Sequence, residues 1–213
     1  MLRHQEVYRM PSIARIFYSL NVCCLVEKKV VENPADLGNL LDFYYLVNPN
    51  ADLIIQIQTT ILMDTSKKSV SRQGKLRESP SGNELSEAIA NHDLFIYIGH
   101  GNYKFGELNR CPTTILMGCA SGLLALNGPY LPHGAPLYNL LAGSPIVIAH
   151  LWSIRSLETL IFSKALFDAW IKERSCDSEC NISSLACEDV THIGSLIRLG
   201  REANNFKYID GGL

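Results

Sequence analysis

The chain has 213 residues, of which 47% are hydrophobic and 19% charged, with a formal net charge of -2 at pH 7. These values are typical of a folded domain with a sizeable core and exclude an intrinsically disordered chain. The charge gives no general attraction to nucleic acid or to an anionic membrane, and the apolar runs are far shorter than a bilayer span. The first residues lead into no hydrophobic signal core, so we expect a protein that is not secreted.

The cysteines indicate a reducing compartment. They are odd in number and two are adjacent, and a chain of this size does not need a disulfide framework. We therefore expect reduced thiols in the cytosol or nucleus. The cysteines are Cys23, Cys24, Cys111, Cys119, Cys176, Cys180 and Cys187.

The first part of the chain alternates apolar and polar segments. Residues 40–46 are apolar and aromatic. Residues 53–62 are apolar and β-branched, and this second pattern is typical of a strand. Pro49 favours an extended backbone at Asn48. Residues 64–83 are rich in Ser, Lys and Arg, which predicts a solvated loop or the outer edge of the domain. Their basic side chains could bind a partner, but a solvated face is the favoured interpretation.

A helix is predicted to begin after Ser81. Ser81 and Glu84 have the spacing of a capping box, and apolar residues follow at helical intervals. This helix leads into the next apolar run.

Two short apolar runs each end in a reactive side chain beside glycine. Residues 94–98 precede Gly99 and His100, and residues 114–117 precede Gly118 and Cys119. Both runs are too short for helices and predict buried strands. The connection between them, residues 101–113, is at the lower limit of the dozen or so residues that join parallel neighbours. If the strands are parallel neighbours, the imidazole and the thiol meet at one edge of the sheet.

The alternation of helices and strands continues and predicts an α/β sheet. Residues 136–142 predict a short helix, residues 145–149 a third buried strand, and residues 156–173 an amphipathic helix. The tail after Arg174 is polar, with one further helix predicted at residues 193–199.

The two strand ends could form a nucleophilic pair. An imidazole that holds a thiol near its thiolate form makes Cys119 a nucleophile and His100 its base. The main-chain amides of Gly101 and of Cys119 itself are the natural donors to a tetrahedral oxyanion, since glycine lets the backbone approach a substrate. The competing interpretation is an inert buried thiol and a histidine that merely occupies a turn.

Other histidines and cysteines are weaker candidates. His150 ends the third strand and could approach the same edge, whereas His133 lies in a Pro/Gly turn that we expect at the surface. A zinc site in the tail is a further alternative, but its residues contain no closely spaced cysteine pair, so surface thiols are favoured. The residues of that alternative are Cys176, Cys180, Cys187 and His192.

Several ordered motifs resemble one known family, the separase protease domain, and the plant form is the most similar. The resemblance extends from about residue 5 to about residue 175. The motifs are Glu6-Val-Tyr-Arg-Met-Pro-Ser12, Tyr44-Tyr-Leu-Val-Asn-Pro49, Asn83-Glu-Leu-Ser-Glu-Ala88, Leu94-Phe-Ile-Tyr-Ile-Gly-His-Gly101, Leu116-Met-Gly-Cys-Ala-Ser-Gly122, Gly134-Ala-Pro-Leu-Tyr-Asn-Leu-Leu-Ala-Gly143 and Ala149-His-Leu-Trp152.

This resemblance implies a caspase-like fold, with a mostly parallel central sheet flanked by helices, and a cysteine endopeptidase that cleaves the kleisin subunit of cohesin after arginine. It implies Cys119 as nucleophile, His100 as general base, and Gly101 and Cys119 as oxyanion donors. It also implies a securin-like inhibitor, no metal or other cofactor, no direct binding to nucleic acid or membrane, and a location in nucleus and cytoplasm.

Three departures from the family pattern bear on activity. The connection between the histidine and cysteine motifs is shorter than in the family, and His150 replaces an asparagine. The acidic run that follows the Leu-Trp pair is replaced by residues 153–160, in which only Glu158 keeps an acid and Arg155 adds a charge of the opposite sign. Such carboxylates are expected to hold the substrate arginine, so Glu158 is the candidate substrate-binding residue.

The sequence thus predicts a protease domain over residues 1–175 and a polar extension over residues 176–213, helical or partly disordered. The chain lacks the long helical region that precedes this domain in full separases, so we expect a fragment or a diverged copy. The alternative function is a catalytically silent domain that binds a securin-type partner or a peptide.

Overall fold

The computed structural model describes residues 42–51, 71–100, 110–126, 128, 132–177 and 193–204. These residues form one five-stranded sheet in which all pairings are parallel. The strands are β1 (Asp42–Val47), β2 (Ser71–Leu76), β3 (Leu94–Gly99), β4 (Thr113–Gly118) and β5 (Val147–Ala149). Their order across the sheet is β2-β1-β3-β4-β5, so β3 and β4 are the neighbours that the sequence predicts.

Helices cover both faces of the sheet. They are α1 (Gly82–Ala90), α2 (Ala135–Leu141), α3 (Ser156–Asp177) and α4 (Ile193–Ala203). One core cluster contains Leu85 of α1 and Ala135 of α2, and the other contains Leu160 of α3 and Leu196 of α4. The predicted fold, a mostly parallel sheet flanked by helices, is therefore confirmed. Among the described residues, no helix has the length and apolar character needed to cross a membrane.

The central strands are apolar on both sides because both sides are covered. In β3, Phe95 and Tyr97 belong to the cluster under α1 and α2, whereas Ile96 and Ile98 belong to the cluster under α3 and α4. Every residue of β3 and β4 is buried. This explains why the two runs show continuous apolar character rather than alternation.

Helix α1 begins where the sequence predicts. The Ser81 Oγ accepts a hydrogen bond from the Glu84 amide at 3.3 Å, and a Glu84 carboxylate oxygen accepts one from the Ser81 amide at 2.8 Å. These two bonds complete a capping box. The later elements also match the sequence, with α3 longer than predicted and β5 shorter.

The polar segment before α1 contains a strand that the sequence did not reveal. Residues 64–83 were expected to be a loop or the outer edge, and β2 lies within them at the edge of the sheet. An edge strand has a neighbour on one side only and remains partly solvated, so its residues carry no apolar pattern. Lys75, which pairs with Glu78 at 2.8 Å, shows this polar character.

The expected extended backbone at Asn48 is wrong. Asn48 has a φ of 48°, in the left-handed region, which asparagine tolerates better than most residues. Its amide donates to the Ile98 carbonyl at 2.7 Å, so β1 remains tied to β3 at the point where the chain turns away. This tie outweighs the preference that Pro49 imposes on the residue before it.

Some predictions fall outside the described residues, including the strand at residues 53–62 and most of the connection between β3 and β4. The domain boundary at residue 175 stays a prediction. Helix α3 continues across it to Asp177, and α4 lies within the predicted extension, with Leu196 in the core.

Candidate active site

The register of β3 and β4 places the predicted base and nucleophile at equivalent positions. Gly99 and Gly118 are paired Cα partners at the ends of their parallel strands. His100 and Cys119 are the next residue of each strand. Neighbouring strands lie about 4.8 Å apart, so the two side chains begin on adjacent strands at one edge of the sheet.

Both side chains have access to solvent. His100 is exposed, and Cys119 is partly exposed and not part of a disulfide. Cys111, which precedes β4 at its other end, is by contrast buried, and burial raises the pKa of its thiol. Of the two cysteines whose surroundings the structure describes, Cys119 is therefore the one available for chemistry.

The turn after Cys119 is held by the segment that follows β5. The Ala120 amide donates to the Trp152 carbonyl at 2.9 Å, and the Gly122 amide donates to the His150 carbonyl at 2.7 Å. A Cβ on Gly122 would lie 3.1 Å from that same carbonyl oxygen, a tight contact that disfavours a side chain at this position. Ala120 itself has a φ of 54°, an unfavourable conformation for a residue with a side chain.

Ser121 is a structural residue of this turn that the sequence did not single out. It is fully buried, and its Oγ donates to the Leu116 carbonyl at 2.6 Å and accepts from the His150 amide at 3.2 Å. One hydroxyl thus joins the turn to both β4 and the residue after β5. The only hint of this role in the sequence is that Ser121 lies two residues after the cysteine. Serine is so common in glycine-rich turns that its presence does not predict a buried structural hydroxyl.

Tyr97 was also missed, because it looks like an ordinary core aromatic. Its side chain is buried, and its hydroxyl donates to the His100 carbonyl at 2.9 Å. The carbonyl of His100, the predicted base, is thereby tied to a side chain of its own strand.

His150 contacts the turn after Cys119 through its main-chain amide and carbonyl, whereas its ring is buried in the core. The ring is 4% exposed and meets Phe162 edge-on, with 5.3 Å between centroids. Its Nε2 has no hydrogen-bond partner among the described residues. Burial lowers the pKa of His150 to about 4, so the ring is neutral at physiological pH.

Comparison with known proteins decides the family. Residues 1–155 match the family model described as "Separin, protease domain". This chain belongs to the separin protease-domain family. It is 31% identical over 176 residues to the separin of Schizosaccharomyces pombe, across 79% of this chain and 9% of that protein. It is 36% identical over 137 residues to the separin of Emericella nidulans, across 59% of this chain and 6% of that protein. The chain thus spans less than a tenth of the length of these two relatives.

The fold is similar to that of a solved separase. The chain matches the separase in a crystal structure of the Saccharomyces cerevisiae separase–securin complex with a TM-score of 0.73 and 23% identity, covering 99% of this chain and 14% of that one. This likeness supports the fold assignment independently of the sequence match.

Glu158, the acid predicted to bind the substrate arginine, is not at the surface. Glu158 lies in the first turn of α3 and is 4% exposed, and its Oε2 has no hydrogen-bond partner among the described residues. Arg155, just before the helix, is exposed. Leaving a buried polar oxygen without a hydrogen-bond partner is costly, and no described residue supplies that partner to Glu158.

Two predicted features lie outside the described residues. Gly101, the second predicted oxyanion donor, is one. The other is most of the alternative zinc site of the tail: Cys180, Cys187 and His192 lie outside these residues, and Cys176 is described only as part of the backbone of α3. Within the ranges that the structure does describe, no group of three or more His, Cys, Asp or Glu side chains could hold a metal ion.

Proposed function

We propose that this domain is a separase-like cysteine endopeptidase, with Cys119 as nucleophile and His100 as general base. The observation that carries the proposal is the pairing of Gly99 with Gly118, since it starts both side chains from adjacent, solvent-accessible positions. Membership of the separin protease-domain family supports the same chemistry.

The reaction follows from these two groups. His100 takes the thiol proton, and the Cys119 sulfur attacks the scissile carbonyl carbon to form a tetrahedral oxyanion. As the oxyanion collapses, the C–N bond breaks and His100 gives its proton to the leaving amine. Water then attacks the thioester, His100 takes a proton from it, and the released thiolate recovers that proton. The amides of Gly101 and Cys119 would stabilise the oxyanion in both halves of the reaction.

The proposed substrate is the kleisin subunit of cohesin, cleaved after arginine. Glu158 is the candidate partner of the substrate guanidinium. Its unpartnered buried oxygen supports this role, because an arginine would supply the charge-assisted hydrogen bonds that the carboxylate lacks. A securin-like protein is the proposed inhibitor, as securin accompanies the separase of the matching crystal structure. We propose that the protein acts in nucleus and cytoplasm without a cofactor and without direct contact to nucleic acid or membrane.

Peptide cleavage tests the proposal. The full chain should cleave a kleisin-derived peptide after its arginine, and Cys119→Ser should abolish cleavage. Cys111→Ser is the matched control and should retain activity, because this thiol is buried at the opposite end of β4. Retained cleavage in Cys119→Ser would contradict the assignment of the nucleophile.

The second candidate function is a catalytically silent domain that binds a securin-type partner or a peptide. The burial of Glu158 beside an exposed Arg155 favours it, because an arginine substrate would then meet a positive charge first. Cleavage that depends on Cys119 would reject this candidate. Binding of a kleisin or securin peptide without any cleavage would support it.

A further inference from the structure

We infer that Phe162 is a positioning residue for Cys119 and that it acts through the buried ring of His150. The inference rests on the proposed endopeptidase function and deepens it, because it concerns the placement of the nucleophile relative to its base. It starts from the edge-on contact between the rings of His150 and Phe162, whose centroids lie 5.3 Å apart at an interplanar angle of 69°. This contact links helix α3 to the residue that holds the nucleophile turn.

Both hydrogen-bonding groups of the His150 backbone contact that turn. The amide donates to the Ser121 Oγ at 3.2 Å, and the carbonyl accepts a hydrogen bond from the Gly122 amide at 2.7 Å. Hydrogen bonds weaken as their distances and angles depart from the preferred values. A displacement of His150 would therefore weaken both bonds or move the turn with it, and Cys119 is the first residue of the turn.

The ring of His150 is held by packing. It is buried, and its Nε2 has no hydrogen-bond partner in the part of the chain that the structure describes. Phe162 is also buried and lies in the core cluster between the sheet and helices α3 and α4. An edge-to-face arrangement is a preferred geometry for aromatic rings, and closely packed interiors transmit strain to their neighbours. The place of the His150 ring thus depends on the place of Phe162.

Helix α4 in turn sets the place of Phe162. A Cβ on Gly200 would lie 2.8 Å from Cε2 and 2.9 Å from Cδ2 of the Phe162 ring. Real side chains do not make contacts this short, so the α4 backbone approaches the ring in a way that only glycine allows. A glycine in the middle of a helix otherwise costs stability. Gly200 therefore fits a position where the ring packs directly on the helix backbone.

Three consecutive contacts connect α4 to the nucleophile turn: Gly200 with Phe162, Phe162 with His150, and the His150 backbone with the turn itself. They end after β4, whereas the proposed base, His100, follows β3. Their loss should therefore change the placement of Cys119 relative to His100, and a shift of about 1 Å can lower a rate about 100-fold. Phe162 and Gly200 both lie beyond residue 155, where the match to the family model ends.

Peptide cleavage by the full chain with Phe162→Leu is the first test. Leucine keeps the position apolar and removes the ring that His150 contacts. We expect kcat for cleavage of an arginine-containing peptide to fall about 10- to 100-fold, with KM within about twofold, because the nucleophile shifts while substrate binding does not change. Phe167→Leu is the matched control, since it makes the same change at another buried position of α3 in the same core cluster. It should leave kcat within about twofold of wild type.

Alkylation of Cys119 separates positioning from a general loss of structure. The assistance from His100 is measured as the factor by which His100→Ala slows alkylation of Cys119 by iodoacetamide near pH 7. We expect this factor to fall about threefold or more in the presence of Phe162→Leu and to keep its wild-type value in the presence of Phe167→Leu. The same factor in wild type and in Phe162→Leu would overturn the inference, whether or not the chain cleaves the peptide.

His150 offers a conservative variant that should restore the contact. His150→Phe keeps an aromatic ring against Phe162 and should retain kcat within about threefold, whereas His150→Ala should lose about as much kcat as Phe162→Leu. The double variant of His150→Ala and Phe162→Leu should lose less than the product of the two single losses, since one contact can be lost only once. Multiplicative losses would show that the two residues act independently and would contradict the inference.

Gly200→Ala tests the contribution of α4. The added methyl group would press on the Phe162 ring, so kcat should fall while KM stays within about twofold. Leu199→Ala, at an exposed position of the same helix, is the control and should leave kcat unchanged. Unchanged kcat in Gly200→Ala would contradict the dependence on α4.

The outcomes for wild type keep this inference separate from the endopeptidase proposal. An active wild type whose kcat is unchanged by Phe162→Leu, or is lowered equally by Phe162→Leu and Phe167→Leu, would overturn the inference and leave the proposed function standing. A wild type that neither cleaves the peptide nor shows assistance by His100 would overturn both.

Discussion

The buried hydroxyl of Ser121 accepts a hydrogen bond from the main-chain amide of His150 at 3.2 Å. The same Oγ donates to the Leu116 carbonyl at 2.6 Å, so the turn that carries the candidate nucleophile is joined to β4 and to the end of β5 by a single side chain. The position of Cys119 thus depends on a residue two places further along the chain.

Replacing that hydroxyl should destabilise the protein. Ser121→Ala would leave a buried amide and a buried carbonyl without their partner, at a cost of about 1–3 kcal/mol in the free energy of unfolding. Urea denaturation of the wild type and the variant measures this change in the free energy of unfolding. Ser86→Ala, on the partly exposed face of α1, is the control and should change stability by less than about 0.5 kcal/mol. Equal effects in the two variants would contradict the structural role of Ser121.

His150 should make the domain sensitive to acid. Because burial lowers its pKa from 6.5 to about 4, protons bind the unfolded chain more tightly than the folded one between these values. The folded state should lose about 3 kcal/mol of stability as the pH falls from about 6.5 to 4, with no further loss from this group below that.

The measurement is the pH dependence of the unfolding free energy in wild type and in His150→Phe. The variant keeps the backbone bonds to Ser121 and Gly122 and removes the ionisable ring. Its stability should fall less than that of wild type between pH 6.5 and 4. Parallel curves would show that His150 does not carry the effect.

Ala120 should accept glycine without loss of stability. Its left-handed φ of 54° costs an alanine about 1–2 kcal/mol, whereas glycine adopts it freely. Glycine also has more entropy in the unfolded chain, which offsets part of this gain. We therefore expect Ala120→Gly to be neutral or to stabilise the protein by about 1 kcal/mol. Ala88→Gly, within α1, should instead destabilise by about 1 kcal/mol. A destabilisation of Ala120→Gly as large as that of Ala88→Gly would contradict the assigned backbone strain.

The cap at the N-terminus of α1 should contribute to the stability of the domain. Ser81→Ala removes the hydroxyl that accepts from the Glu84 amide and should cost about 1 kcal/mol in thermal or urea unfolding. Ser81→Asn should retain most of the stability, because asparagine also caps helices. If both substitutions cost the same, the cap would not contribute as described.

The sequence predicted the central strands because residues buried on both faces leave a continuous apolar run, as in β3 and β4. It predicted the positions of His100 and Cys119 because each follows such a run directly. It could not predict β2, since an edge strand with Arg72 and Lys75 needs no apolar face. Nor could it predict the Ser121 and Tyr97 contacts, which depend on register and on the direction of one side chain.

The two departures at Glu158 and His150 show a similar limit. The resemblance implies that an acidic run is missing and that a histidine stands where the family has an asparagine, but it does not reveal that the side chains of Glu158 and His150 are buried. Burial turns His150 from a possible member of the site into a neutral core residue. It turns Glu158 from an expected surface acid into a buried side chain whose Oε2 has no hydrogen-bond partner among the described residues.

The pairing of His100 with Cys119 is tested most directly by the rate at which Cys119 is alkylated near pH 7, measured by mass spectrometry of the labelled peptide. If His100 assists the thiol, wild type should label faster at Cys119 than at the buried Cys111, and His100→Ala should slow labelling of Cys119 alone. Equal labelling of Cys119 in the wild-type and His100→Ala proteins would contradict the assignment of these two residues as a catalytic pair.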